Sequence, residues 1–459
     1  MLTRDQETII AQCTPNGKGA IALVRLCGSN VREVVSKISY LPNNNIENLS
    51  SGTVNFGFVI DDQNNKIDQV MFIIMDGPKT FTGQNTIEIT CHNNPFIIQK
   101  IISQAVKHGA RLAQEGEFTK RAFLNDKIDL IQAEAINELI HANTQLALKK
   151  SLSQLQGSFS NWIYKLEKEL IRTLAWSQAT FEFLDEEVNF NQQIKDHLLK
   201  LVKDIKILKK TFDEQQQIRQ GIRIALIGSV NAGKSSIFNN LLNQKRAIVT
   251  NIAGTTRDAI ESGIYLNGNY CTLIDTAGLR QTDDIIEQEG IKKSFEEAAK
   301  ADIILLIFDQ SREINQEEEK VYKELLNQYS KKIILIANKI DLENKTSLNR
   351  IFDVHKPIKI SSNTKENFNT LEQNIELKIL ELFSSIESPF LLNKRHFNNL
   401  INIENQINTV IEMFNNDMVH HELVAYHLNN IIETISDLTG KTVSEAGLDM
   451  VFKEFCVGK

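Results

Sequence analysis

Lys234 and Ser235 close the run Gly228-Ser229-Val230-Asn231-Ala232-Gly233-Lys234-Ser235. Their types and spacing match the phosphate-binding pattern G-x-x-x-x-G-K-[ST]. Glycines let backbone N–H groups turn inward around a phosphate chain, and a helix beginning there adds partial positive charge. Lys234 is expected to reach the β- and γ-phosphates and the Ser235 hydroxyl to bind Mg²⁺. Asn231, Ala232, Gly233 and Ser236 complete the run expected to contact nucleotide. Asn338-Lys339-Ile340-Asp341 carries a carboxylate that can accept two N–H bonds from the guanine edge, while the Lys339 stem packs on the base. Adenine presents an acceptor where guanine presents N–H, so it would leave Asp341 unpaired and be rejected. In Asp275-Thr276-Ala277-Gly278, Asp275 is expected to hold Mg²⁺ through water and the Gly278 N–H to sense the γ-phosphate. Gly254-Thr255-Thr256-Arg257-Asp258 offers Thr256 to complete the Mg²⁺ coordination.

Short apolar strands must hold these groups. Ile222 to Ile227, Cys271 to Ile274, Ile333 to Ala337 and Ile358 to Ile360 each run into one of the motifs, and Ser236 to Leu242 reads as a helix start. The last strand delivers Ser361-Ser362, a further base-contacting loop. In this order the motifs resemble those of a Ras-like GTPase, with Ser362 where Ala is usual. Many such enzymes place a water-orienting Gln directly after the Gly278 position. Leu279 stands there and cannot hydrogen-bond, so another group must position the water. The acidic segment Arg280 to Glu287 could swing over the nucleotide.

Composition bounds the rest. A chain of 459 residues should make about three domains. Its hydrophobic fraction of 42% and charged fraction of 24% are ordinary for a soluble protein. A formal charge of −7 argues against a broad nucleic-acid-coating surface, although a folded RNA could still dock locally. Cys13, Cys27, Cys91, Cys271 and Cys456 are scattered without a CxxC pair, so neither a disulfide framework nor a zinc site is expected. Reduced thiols, no apolar signal core and no apolar run of about 18 residues point to a cytoplasmic protein without a membrane span.

Residues 1–120 read as a mixed α+β domain. Strands are expected over Ile21–Leu26, Thr53–Ile60, Gln69–Met75 and within Phe81–His92, with helices over Val31–Ile38 and Pro95–His108. Arg25 and Glu88 are charges inside strand patterns: they alternate out to solvent, or they line a ligand pocket. Residues 113–127 read as a polar hinge. After it, Ile128, Ile131, Ala135, Leu139, Ala142 and Leu146 recur at the spacing of one long amphipathic helix. Helices are also expected over Phe159–Phe183 and from His197 to about Arg219. The run Asp185-Glu186-Glu187 reads as a solvated turn in preference to a metal site. A Ras-like domain over 217–380 is followed by helices Phe390–Phe414, Glu422–Leu438 and Ser444–Phe455. This organisation predicts one helical domain in two parts, 121–216 and 381–459, with the P-loop domain inserted. The end, Phe455-Cys456-Val457-Gly458-Lys459, is not a prenylation signal because Gly458 breaks the pattern.

The full chain resembles the MnmE (TrmE) family of tRNA modification GTPases. The matching segments are AQCTPNGKGAIALVRLCG, FTGQNTIEITCHNNP, GEFTKRAFLNDKIDLIQAEAI, SQLQGSFS, NAGKSS, IVTNIAGTTRD, IDTAGLR and the terminal FCVGK. The resemblance implies that the chain acts with an FAD-dependent partner, MnmG (GidA), which uses NADH. Together they would install an aminomethyl or carboxymethylaminomethyl group at C5 of the wobble uridine of certain tRNAs, drawing one carbon from 5-formyl- or methylenetetrahydrofolate. It implies a folate-binding-like N-terminal domain that forms the homodimer, within a heterotetramer or larger assembly. Folate contacts map to Arg25, Glu88, Lys127 and Lys459, and Cys456 would lie near the folate as nucleophile or acid. The resemblance also implies G-domain dimerisation with K⁺ held by Asn231, Thr250, Ile252 and Thr255, with Asn251, Ala253 and Gly254 completing that nucleotide-contacting segment. Glu287 is the implied water-orienting acid. Val230 stands where Pro is common in the family, and Asn251 where Asp is common. A ribosome-assembly GTPase would share only the nucleotide motifs and carry a basic RNA-binding module, which is not evident after residue 380. A stand-alone nucleotide switch with protein-binding flanks would lack folate binding.

Overall fold

A computed structural model describes residues 6–42, 44–182, 190–210, 212, 219, 221–244, 260–275, 286–345, 356–384, 388–415 and 418–458. The chain forms two compact units. One comprises Met1–Asn137, Leu152–Lys203 and Asn398–Lys459; the other comprises Glu138–Ser151 and Asp204–Phe397.

The first unit is built on strands β1 (Ile9–Gln12), β2 (Ile21–Cys27), β3 (Ser39–Tyr40), β4 (Thr53–Ile60), β5 (Lys66–Met75), β6 (Thr86–His92) and β7 (Arg111–Leu112), in the order β3-β4-β5-β6-β2-β1-β7. Val24, Leu26, Phe72, Ile74, Ile87 and Ile89 alternate onto one face. Helices α1 (Val31–Lys37) and α2 (Pro95–Lys107) cover that face with Val31, Val35, Ile98 and Ile101. Period-two patterning of this kind buries one face of an antiparallel sheet. On the other face, Ile9, Ala11 and Cys27 pack against Phe118 of α3 (Glu117–Leu124). The segment expected as a polar hinge is therefore partly a core helix. Its Arg121 is 1% exposed, donating to Glu117 and Gln84.

The expected long helix after residue 127 is two helices, α4 (Leu130–Ile140) and α5 (Gln145–Leu155). Thr144 interrupts it, its hydroxyl accepting the Ala147 N–H at 3.1 Å as an N-terminal cap. Apolar spacing continued through the break, which hid it. Two further helices follow, α6 (Ser158–Glu182) and α7 (Asn191–Lys209).

The second unit contains β8 (Ile222–Gly228), α8 (Lys234–Gln244), β9 (Ile260–Leu266), β10 (Asn269–Asp275), α9 (Ile286–Lys300), β11 (Ile303–Asp309), α10 (Gln316–Tyr329), β12 (Ile333–Asn338), β13 (Ile358–Lys359) and α11 (Phe368–Ser384). The sheet order is β13-β12-β11-β8-β10-β9, parallel apart from the β9–β10 pair. Every residue of β11 is buried, as a parallel strand covered on both faces requires. One face packs against α8 and α11, the other against α9 and α10. This unit extends beyond 217–380: Lys150 donates to the Ser388 carbonyl at 2.6 Å, and Ala147 packs with Leu391.

Among the described residues that follow are helices α12 (Lys394–Met413), α13 (His421–Thr439) and α14 (Glu445–Phe452). Gly440 stops α13 at a φ of 92°, the left-handed cap that glycine allows. In the first unit, Leu448, Phe452 and Phe455 pack with Leu130 and Phe123.

Candidate functional site

At the C-terminal end of β8 the chain turns into α8 through residues 229–233. Gly228 sits so close to β11 that a Cβ there would stand 2.1 Å from the Ile307 carbonyl oxygen. Gly233 has a φ of +95°, and a Cβ on it would stand 2.0 Å from Asn338 Nδ2. Both glycines of the motif are thus required by packing, and Gly233 by turning as well. Asn231 also adopts a left-handed φ of 59°. Lys234 is 7% exposed and folds over the loop, donating to the carbonyls of Gly228 at 2.8 Å and Ser229 at 2.7 Å. The Ser235 hydroxyl donates to Asp275 Oδ2 at 2.7 Å. Two hard oxygens expected around Mg²⁺ therefore already meet, and such a donor set suits that ion.

Asn338 joins the loops from within. Wholly buried, it donates to the Ala232 carbonyl at 2.8 Å and to Ser362 Oγ at 3.1 Å, and its Oδ1 accepts the Ser362 N–H at 3.0 Å. Asn240 of α8 donates to the Ser362 carbonyl at 2.7 Å. Ser361 Oγ donates to Asp341 Oδ1 at 2.6 Å, and this hydrogen bond holds the exposed Asp341 carboxyl below its usual range. The Ser361-Ser362 pair thus orients Asp341 and clamps Asn338, so the substitution of Ala by Ser362 adds a hydroxyl to that clamp.

Sequence reasoning missed Asp309. It ends β11 as Asp275 ends β10, and its Oδ2 takes the Lys339 ammonium at 2.5 Å. Burial raises the Asp309 carboxyl, but hydrogen bonds from Lys339 and Ser311 outweigh it and hold the group below its ordinary value. The signal was available: an apolar run ending in Asp directly precedes the region.

Thr250, Asn251, Ile252, Ala253, Gly254, Thr255, Thr256, Thr276, Ala277, Gly278 and Lys459 lie outside the described residues, as do Asp185–Glu187 and Leu279. Glu287 falls at the start of α9, its side chain outside the described set.

The first unit gathers a second group. Arg25 and Glu88 are direct cross-strand partners. Arg25 Nε and Nη2 both reach Glu88 Oε1, at 2.8 and 2.7 Å, and the guanidinium lies 5.5 Å from the Phe118 ring centre. Of the two readings left open by sequence, neither side chain runs freely into solvent: they are 21% and 15% exposed. Lys127 lies against the loop carrying Gly83, its Cε 3.1 Å from where a Cβ on that glycine would stand.

The chain end is docked on this sheet. Glu115 bridges to Val457, and Cys13 Sγ donates to the Gly458 carbonyl at 3.1 Å. A Cβ on Gly458 would stand 2.4 Å from the Gln12 carbonyl oxygen. A cavity of about 360 Å³ opens beside it, lined by Ile10, Gln12, Pro15, Leu112 and Val457 among others. Cys456 is exposed.

A largely parallel sheet whose strand ends bring together a glycine-rich loop, the Ser235–Asp275 pair and the Asn338–Asp341 loop is the architecture of a P-loop GTPase, a GTP-hydrolysing enzyme. Residues 8–127 match the family described as GTP-binding protein TrmE N-terminus, and residues 130–456 the MnmE helical domain. The tRNA modification GTPase MnmE of Lachnoclostridium phytofermentans is 36% identical over 461 residues, 99% of each chain. Its counterpart in Aquifex aeolicus is 36% identical over 99% of this chain and 100% of that one. The chain belongs to the MnmE family. A solved structure of Aquifex aeolicus Era with GDP and AlF4⁻ is 26% identical, covers 34% of this chain and 55% of that one, and superposes with a TM-score of 0.27.

Proposed function

We propose that this chain uses GTP hydrolysis to drive modification of tRNA at C5 of the wobble uridine. It would work in the cytoplasm with an FAD-dependent partner of the MnmG type, in a heterotetramer or larger complex. The observation that carries the reading is the identity to tRNA modification GTPases across 99% of this chain. A switch sharing only nucleotide motifs would not match over the first sheet and the terminal helices.

In this reading Lys234 reaches the β- and γ-phosphates while Ser235 and Asp275 supply oxygens for Mg²⁺. Asp341, aimed by Ser361, accepts the guanine N–H groups, and Lys339, steadied by Asp309, lies along the base. Thr250 to Thr256 and Thr276 to Gly278 surround the nucleotide. Asn231, with Thr250, Ile252 and Thr255, offers oxygens to K⁺, and Glu287 orients water in place of the missing Gln. Arg25, Glu88, Lys127 and Lys459 hold a tetrahydrofolate in the first domain, and Cys456 serves chemistry beside it. Support comes from the Arg25–Glu88 pair beneath Phe118 and from the tail docked on β1. The finer division at residues 120, 216 and 380 belongs to the same proposal.

Homodimerisation is supported by one sheet face. Cross-strand register puts Val54, Phe56, Met71 and Ile73 on the face that carries Glu88 and Arg25. Val54, Phe56 and Met71 are 54%, 51% and 47% exposed, an apolar strip that a second copy would cover. No helix among the described residues is long and apolar enough to cross a membrane.

The test is nucleoside analysis of tRNA from cells lacking the gene, complemented by the native chain or by Lys234→Ala. Loss of a C5-substituted wobble uridine, restored only by the native chain, is expected. An unchanged nucleoside pattern would overturn the reading and favour a ribosome-assembly or switch role.

A further inference from the structure

Ser229 occupies one of the positions that the phosphate-loop pattern leaves unspecified, yet it is held at two points. Its N–H donates to the Tyr322 hydroxyl at 2.9 Å, and that hydroxyl donates to the Ile307 carbonyl at 3.2 Å. Its own hydroxyl accepts from Arg312 Nη2 at 2.9 Å. Both partners come from the β11–α10 side. Tyr322 lies on α10, 3% exposed, and burial pushes its hydroxyl up, so it stays protonated and can donate to Ile307 while accepting from Ser229. Arg312 is fixed in turn by a two-pronged pair with Glu318, at 2.9 and 2.5 Å. Glu318 is the third residue of α10 and closes its capping box with Asn315. The start of the loop is therefore anchored to the cap of a helix that carries no nucleotide motif.

We propose that Tyr322 and Arg312 are positioning residues for nucleotide binding: they clamp Ser229 by its amide and its hydroxyl and fix the phosphate loop before nucleotide arrives. A loop fixed in advance loses less conformational entropy when phosphate enters. The clamp turns the Ser229 amide toward Tyr322, so the phosphate cradle is left to the later amides and Lys234. Because it supports ground state and transition state alike, it acts on affinity and leaves the chemical step unchanged. The inference rests on residues 228–235 being the phosphate loop.

Fluorescent GDP titration and GTP turnover of the full chain test it. Ser229→Ala and Arg312→Gln should each weaken GDP binding by roughly fivefold to tenfold, the worth of one net hydrogen bond, with KM for GTP raised and kcat unchanged. Ser229→Thr keeps the hydroxyl and should stay within about twofold of native, a rescue that a merely structural role would not require. The double variant Ser229→Ala with Arg312→Gln should weaken binding by less than the product of the two single effects, because the two share the Arg312–Ser229 bond. Tyr322→Phe should weaken binding at least as much; should it fail to fold, the Ser229→Ala and Ser229→Thr pair decides. Lys234→Ala is the control. If it loses binding while Ser229→Ala and Arg312→Gln bind as native, the clamp is overturned; if it too binds as native, the loop reading falls.

Discussion

Two clusters of charged residues meet their partners differently. In the nucleotide site, Asp275 and Asn338 end strands, Asp341 lies in the loop that follows, Lys234 opens α8 just after the β8 loop, and each motif is a short consecutive run. In the first sheet, Arg25 and Glu88 lie mid-strand, 63 residues apart, and meet because β2 and β6 are neighbours in register. Strand ends present loops to ligand as a group, the general location for binding in open parallel sheets. A mid-strand pair is instead shielded by what covers the sheet, here Phe118 of α3. The first kind of site tolerates sequence change between motifs; the second depends on the cover.

The largest expected effect is on the nucleotide side. If Lys234 meets the phosphates as proposed, Lys234→Ala should lower GTP turnover by about a hundredfold or more, the scale of losing one preorganised electrostatic contact. Folate binding to the full chain, followed by titration, should be unchanged. If both fall together, the two clusters are one site. Next, on the proposed reading Asp341→Asn exchanges an acceptor for a donor toward the base and should weaken GDP affinity by roughly tenfold to a hundredfold. Equal affinity in a competition titration would remove Asp341 from base recognition.

Arg25→Ala breaks a half-buried ion pair and leaves Glu88 uncompensated. It should weaken tetrahydrofolate binding by roughly tenfold with GTP turnover intact, the mirror image of the Lys234 variant. Replacing Na⁺ by K⁺ should raise GTP turnover several-fold; equal rates would remove Asn231 from a cation site.

Acidification separates the clusters through α3. Burial raises the Glu117 carboxyl, but hydrogen bonds from Arg111 and the Gln114 amide, with the nearby Arg121 charge, outweigh it and hold the group below its usual value. A carboxyl depressed on folding stabilises the fold above its unfolded pKa and loses that contribution as pH falls through the folded one. Thermal melts should therefore show the native chain losing stability below about pH 4.5, and Glu117→Gln losing less over that window. The smallest effect is at the chain end. Cys13→Ser keeps a donor toward the Gly458 carbonyl and should shift stability by less than about 0.5 kcal/mol, whereas Gly458→Val meets the Gln12 carbonyl and should release the tail to proteolysis.

Sequence by itself determined that the chain is a GTPase, because the glycine-rich loop and the Asn-Lys-x-Asp run are short patterns whose residues are neighbours in the chain and stay neighbours in space. Residues 222–244 alone specify strand, loop and helix. It also determined that the helices on either side of the P-loop domain would be amphipathic. What it left open required pairing across long separations. Only the register of β2 against β6 joined Arg25 to Glu88, and only the packing of α3 buried a segment whose polar composition read as a hinge. Tyr322 reached Ser229 from 93 residues away, through a helix with no motif of its own. The tail found Gln12 and Cys13 because Phe452 of α14 and Phe455 just after it anchor it, and a few residues at a chain end carry no periodicity from which such docking could be read.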